Sequence, residues 1–171
     1  MPATLLAAVR PTRPTFRSDL LVLLPDLRAF SRFLCRDRAA ADDLAQNTVV
    51  VAMSKQDQFQ PGTNLKAWLF TIMRSRFYSS LRTARRRGEV SEPEQLDNAP
   101  APEHAEASSN LIDLSKALWR IIPEYREALM LVGACGFSYE EAASLCECSI
   151  GTMKARVSRA RSQLGEVLNP A

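Results

Sequence analysis

Apolar positions recur every three to four residues along most of this chain, and strand-like alternation is nearly absent, so the pattern predicts an all-α protein. Ser18 and Asp19 can start a first helix with Leu20, Leu21, Leu24 and Leu27 inward. Pro25 kinks that helix or begins the next segment, and Phe30, Phe33 and Leu34 continue the stripe. Asp37-Arg38 marks a turn. A second helix follows from Ala39 to about Ser54, with Leu44, Thr48, Val51 and Ala52 along one side. The Pro61-Gly62 pair makes residues 59–64 a loop, and Thr63 or Asn64 can cap a long third helix. Leu65, Trp68, Leu69, Ile72 and Met73 form its buried stripe, and Gly88 ends it.

Beyond residue 110 the period returns. A helix from about Leu111 to Ile122 places Leu114, Leu118 and Ile121 inward; Pro123 breaks it, and Arg126 to Gly133 forms another short helix. Ser138 to Cys146 is a short amphipathic helix whose Ser138 and Glu141 fit a capping box. After a tight turn at Glu147-Cys148, Ser149 can cap a last helix with Met153, Val157, Ala160 and Leu164 on one face. Two helices joined by so short a turn make a helix-turn-helix, whose second helix can lie in a DNA major groove.

Charge sharpens this division. Residues 17–88 carry a net charge of +7, residues 89–110 carry −6 with no base, and residues 111–171 balance at zero. Pro93, Pro100 and Pro102 fall in the acidic stretch, which reads as a disordered or extended linker. The expected organisation is a flexible tail at 1–17, a helical domain at 18–88, an acidic linker at 89–110 and a helix-turn-helix domain at 111–171. No apolar run reaches the length of a membrane span, and Thr4–Val9 is too short for a signal segment, so a cytoplasmic protein is expected. The four cysteines are Cys35, Cys135, Cys146 and Cys148; their spacing suits small buried residues better than a metal site or a disulfide framework. The lone histidine, His104, lies in the linker, which leaves no credible nucleophile–base pair. Neither an enzyme nor a cofactor or metal site is expected.

The candidate chemistry is recognition of a polyanion. Residues 150–165 hold four bases and no acid. On that helix Ala155, Ser158 and Arg159 point away from the packed stripe, with Lys154, Arg156 and Arg161 on the flanks. The C-terminal half of the third helix is also basic, with Arg74, Arg76, Arg82, Arg85, Arg86 and Arg87, and it carries Phe77 and Tyr78. Arginines interleaved with aromatics can hold phosphates while stacking unpaired bases. Trp68 reads as core, and Tyr78, with its polar tip, fits either role.

Four segments together resemble an extracytoplasmic-function (ECF) sigma factor: Asp42-Asp-Leu-Ala-Gln46, Asn64 to Ile72, Phe137 to Ala143, and Gly151 to Arg161. The wording of Phe59 to Phe70, Phe77-Tyr-Ser79 and Val132 to Tyr139 is most similar to the EcfG-type general-stress sigma factors of alphaproteobacteria. The resemblance covers residues 18–88 and 111–168, and implies sigma regions two and four. It implies docking on the β′ coiled coil of core RNA polymerase through Asp43, Leu44, Gln46, Asn47, Thr48 and Val51, with the β subunit as a further partner. It assigns the −10 promoter element to the segment from Asn64 to Tyr78, including Lys66, and the −35 element to Lys154, Ala155, Arg156, Ser158 and Arg159. It also implies control by an anti-sigma protein of the NepR type, itself removed by a PhyR-type response regulator. Two positions depart from the pattern: Asn47 stands where the family usually has an acid, and Met53 where it often has Trp. A dimeric helix-turn-helix repressor lacks support, because the chain shows neither a heptad seam nor a sensory domain. A decoy that only captures an anti-sigma protein should have lost the cations that remain at Arg74, Arg76, Lys154, Arg156 and Arg159.

Overall fold

The computed structural model describes residues 15–89 and 109–169, with side chains in the second stretch from Asp113 on. The tail, the acidic linker, His104 and Thr4–Val9 lie outside the described residues. Among the described residues there are seven α-helices: α1 (Phe16–Leu34), α2 (Arg38–Ser54), α3 (Leu65–Arg86), α4 (Ser109–Trp119), α5 (Pro123–Gly133), α6 (Tyr139–Leu145) and α7 (Ile150–Leu168). A 3-10 turn at Gln56–Gln58 joins α2 to the loop before α3. No strand occurs among the described residues.

Polar side chains start the helices. Thr15, Asp37, Asn64, Ser138 and Ser149 each accept the backbone N–H three residues on, meeting a donor that the first helical turn leaves unpaired. Thr15, rather than Ser18, opens α1, and the helix runs through Pro25 without ending. Leu20 and Leu27 are buried, but Leu21 is 64% exposed, so the inward stripe does not include it. Adjacent residues lie about 100° apart on a helix, and only one of the two leucines can face the core. Pro123 does not break a helix; it stands at the first position of α5, where its missing N–H has no helical partner to lose. α4 therefore ends at Trp119, with Ala117, Trp119 and Ile121 buried and Leu114 at the surface. Gly88 stops α3 at φ +69°, a conformation that suits glycine.

The helices α1, α2 and α3 pack together, and α7 packs across α4, α5 and α6. The two groups are not separate. One contiguous core runs from Leu27, Phe30, Leu69, Phe70 and Met73 into Leu131, Phe137, Ala142, Leu145, Met153 and Val157. Phe70 is the joint. It stacks on Phe30 at 4.7 Å between ring centroids and meets Phe137 edge-on at 5.0 Å. Removing a phenylalanine side chain from water stabilises by roughly 1.5–3 kcal/mol, so this contact is a substantial part of the docking. A second contact lies at the other end of the seam. Trp119, 9% exposed, has the guanidinium of Arg36 at 4.9 Å and that of Arg126 at 3.9 Å from its ring. Phe33 of α1 lies 6.4 Å from the same indole.

Candidate nucleic-acid and polymerase interface

The helix-turn-helix is built as its sequence spacing requires. Ser138 Oγ accepts from the Glu141 N–H at 3.1 Å, and Glu141 Oε2 accepts from the Ser138 N–H at 2.9 Å. The turn places Glu147 at φ 53°, and Ser149 Oγ then caps α7 by accepting from the Thr152 N–H at 3.1 Å. Met153, Val157 and Ala160 are buried, which fixes the opposite face of α7 outward. Lys154, Ala155, Ser158, Arg159 and Arg161 are exposed there, and Arg156 is half-buried.

Arg159 is not loose. Its Nη1 donates to the Tyr125 hydroxyl at 3.0 Å, and its guanidinium carbon lies 5.8 Å from that ring. Tyr125 belongs to α5, so the first turn of one helix steadies a side chain on another. An open groove between them is lined by Ile122, Glu124, Tyr125, Thr152, Ala155, Arg156 and Arg159. Sequence reasoning missed Tyr125, because its partner lies 34 residues away and nothing near Tyr125 marks it.

On α2 the expected polymerase-contact residues separate. Asp43, Gln46 and Asn47 are exposed and Val51 is half-buried. Leu44 and Thr48 are 9% and 0% exposed, and the Thr48 hydroxyl donates to the Leu44 carbonyl at 2.8 Å. Those two hold α2 to its own domain. The accessible surface continues instead into a groove between α1 and α2, lined by Leu24, Arg28, Arg32, Gln46, Val49 and Val50 among others. Leu21, Val22 and Val50 are large apolar side chains 64%, 77% and 64% exposed.

The α3 surface differs. Arg76 is exposed, but Asn64, Lys66, Arg74 and Tyr78 are engaged within the chain. Arg74 Nε donates to Glu127 Oε1 at 2.9 Å, and the Tyr78 hydroxyl donates to Glu127 Oε2 at 2.9 Å. The Arg74 guanidinium also lies 4.7 Å from the Tyr78 ring centroid. Lys66 Nζ donates to the Cys135 carbonyl at 2.7 Å and pairs with Asp26 at 2.7 Å. Asn64 Nδ2 donates to Glu141 Oε1 at 2.7 Å. Burial works against the charge of Arg74, and Glu127 more than offsets it, holding the guanidinium protonated beyond its usual range. Burial first, and Glu127 second, push the Tyr78 phenol well upward. The thiols follow the same rule. Burial raises Cys35 and Cys135 to about 11 and Cys146 to about 12, so each is a neutral, apolar group at physiological pH. Among the described residues, no group of three or more His, Cys, Asp or Glu side chains could hold a metal ion. Nor is any described helix long and apolar enough to cross a membrane.

Known proteins share both the sequence and this arrangement. Residues 22–87 match Sigma-70 region 2, and residues 114–164 match Sigma-70, region 4. The chain is 43% identical over 158 residues to the ECF RNA polymerase sigma factor EcfG of Rhodopseudomonas palustris, covering 92% of this chain and 87% of that one. It is 32% identical over 131 residues to the ECF RNA polymerase sigma factor SigC of Mycobacterium tuberculosis, covering 75% and 70%. Among solved structures it resembles the sigma factor RpoE of Bartonella quintana, crystallised in complex with the anti-sigma factor NepR. That match has 45% identity and a TM-score of 0.76, and covers 90% of this chain and 96% of that one. CnrH in complex with the cytosolic domain of CnrY has the same fold, at a TM-score of 0.64 and 22% identity. Two sigma regions in order, a capped helix-turn-helix with a basic outer face and relatives matched over most of their length lead to one conclusion: the chain belongs to the ECF RNA polymerase sigma factors.

Proposed function

We propose that this sigma factor docks on the β′ subunit of core RNA polymerase through Asp43, Gln46 and Asn47, with the neighbouring α1–α2 groove completing the surface. Its α3 face, with Asn64, Lys66, Arg74, Arg76 and Tyr78, meets the −10 element, and its α7 face reads the −35 element. Lys154 and Arg159 are the base-reading candidates, because Lys154 lies near the helix N-terminus and Arg159 at the centre of the outward face. Arg156 and Arg161 grip phosphates. The observation that carries this reading is the outer face of α7: a rigid, capped helix with its apolar stripe buried and its cations presented together. The likeness to EcfG supports a place in the general stress response, and the likeness to RpoE supports control by an anti-sigma protein of the NepR type. The site of action is then the cytoplasm, where the polymerase works, and the role is non-catalytic.

Run-off transcription with core polymerase and a promoter library tests the reading as a whole: the chain should direct initiation at a defined subset of promoters. Asp43→Ala with Gln46→Ala should lower retention of β′ by about tenfold or more while leaving the helical circular dichroism unchanged. Undiminished retention in that double variant would count against docking through α2.

A further inference from the structure

The face proposed to read the −35 element includes a group that the α7 segment does not contain. Residues 150–165 hold four bases and no acid. Tertiary packing brings them an acid from α5. Glu124 and Tyr125 stand in the first turn of that helix, just after Pro123, and α5 packs along α7. The Tyr125 hydroxyl accepts from Arg159 Nη1 at 3.0 Å, which holds this turn against the outward face of α7. Glu124 lines the groove between the two helices together with Ala155, Arg156 and Arg159. Its side chain is exposed and, among the described residues, makes no salt bridge or hydrogen bond, although two guanidiniums line the same groove.

The chemistry of a duplex decides what such a groove can face. The phosphate backbone offers negative charge and acceptors alone, so it repels an unpaired carboxylate. A base edge in the major groove offers both kinds of partner. Guanine presents acceptors at O6 and N7, and cytosine presents a donor at its N4 amino group. A guanidinium and an unpaired carboxylate in one groove match that mixed pattern and not the backbone. Ile122 and Ala155, both exposed on the same groove, add apolar surface of the kind that meets a thymine methyl.

We propose that Glu124 is a specificity-determining residue for the −35 element, accepting from the N4 amino group of a cytosine while Arg159 donates to a guanine in the same or the adjoining base pair. The inference rests on the −35 assignment made above and extends the reading surface from α7 to the first turn of α5. Glu124 then acts in two ways: it favours cytosine at one position, and it disfavours any placement of the helix that brings a phosphate into the groove.

The test uses the full chain assembled with core polymerase and a pool of duplex promoters randomised across the −35 element, the retained DNA being sequenced. Wild type should prefer cytosine at one position, and Glu124→Ala should lose that preference by about tenfold while the other positions keep theirs. Glu124→Gln keeps an acceptor and adds a donor, so it should move the same position toward adenine, the base that pairs with a side-chain amide. Glu166→Ala removes the same charge from an exposed position nearer the end of α7 and should leave every preference as it is. An acid in the first turn of a helix also complements the helix dipole, so thermal melts accompany the selection. A Glu124→Ala chain that melts earlier but selects the wild-type sequence overturns the proposal. So does one that binds every duplex more tightly with unchanged preference, because Glu124 would then only repel the backbone. Arg159→Ala in the same selection separates the two claims. A changed preference in Arg159→Ala with none in Glu124→Ala removes Glu124 alone from the reading surface; no change in either removes the −35 assignment with it.

Discussion

The two helices proposed to face DNA, α3 and α7, carry similar side chains in opposite circumstances. Both are long, capped and basic, and each buries one stripe. On α7 Lys154, Arg159 and Arg161 are exposed, and Arg159 is steadied by the Tyr125 hydroxyl rather than by a carboxylate. On α3 the key cations are neutralised by carboxylates, and Arg74 and Tyr78 end on a buried anion. Sequence composition alone would rank the two faces alike. What distinguishes them is whether the rest of the chain supplies an acid within reach, and that is a property of tertiary packing.

The most severe way to break this contrast is at Phe70, which belongs to the region-two core and to the seam. Phe70→Ala should cost about 3–5 kcal/mol, the usual range for emptying a well-packed aromatic site. Calorimetry should show one transition in the wild type and two in the variant, region two melting first. A single transition displaced by less than about 1 kcal/mol would mean that the two halves are not joined through this ring. Next in size is the division of labour on α7. Arg159→Ala should relax base preference within the −35 element by ~1–3 kcal/mol, the value of a paired arginine–guanine contact. Arg161→Ala should weaken all sequences alike and reduce the salt slope by about one. Selection from random duplexes at several salt concentrations separates the two, and a loss of affinity with unchanged preference in Arg159→Ala would refute the base-reading role.

How much of this could be read beforehand followed from the range of the signals. The capping box at Ser138 and Glu141, the cap at Asn64 rather than Thr63, and the α7 stripe of Met153, Val157 and Ala160 are local signals and are present, with Leu164 only half-buried. Leu21 and Pro123 were misplaced because periodicity allows two neighbouring phases, and because proline both ends and begins helices. Leu44 and Thr48 match the family's polymerase-contact segment, yet their spacing also put them on the core stripe, and the core has them. Glu127 was the hardest to see. It sits in an ordinary amphipathic helix, and its partners lie 49 and 53 residues away. The acidic stretch marked the division into two halves, but nothing local in the sequence signalled the core that the described halves share.

Smaller effects refine the comparison. Tyr125→Phe removes the oxygen that holds Arg159 and should cost about 0.5–1.5 kcal/mol, visible as weaker discrimination at the base pair proposed for Arg159. Equal discrimination in the variant would show that the ring alone positions the guanidinium. The pH dependence gives the finest test. Burial, then Glu127, lifts the Cys146 thiol to about 12 from an ordinary value of 9.0. The unfolded chain therefore loses this proton first as pH rises, so stability is full below about 9 and declines between about 9 and 12. Cys146→Ala should make that alkaline decline shallower, leaving the share of Cys35 and Cys135, and denaturant melts across the range would detect it. An unchanged slope would place the sensitivity elsewhere.

The setting of Trp119 gives the molecule an intrinsic optical gauge. The chain has two tryptophans. Trp68 lies inside region two beside Phe16 and Phe59, away from the seam. Trp119 lies on the seam itself, in contact with Arg36 of one half and Arg126 of the other. Separation of the halves would hydrate Trp119 and shift its emission to the red, while Trp68 keeps its surroundings and serves as the reference. Any separation of the two halves can thus be timed in a stopped-flow fluorimeter without attaching any dye.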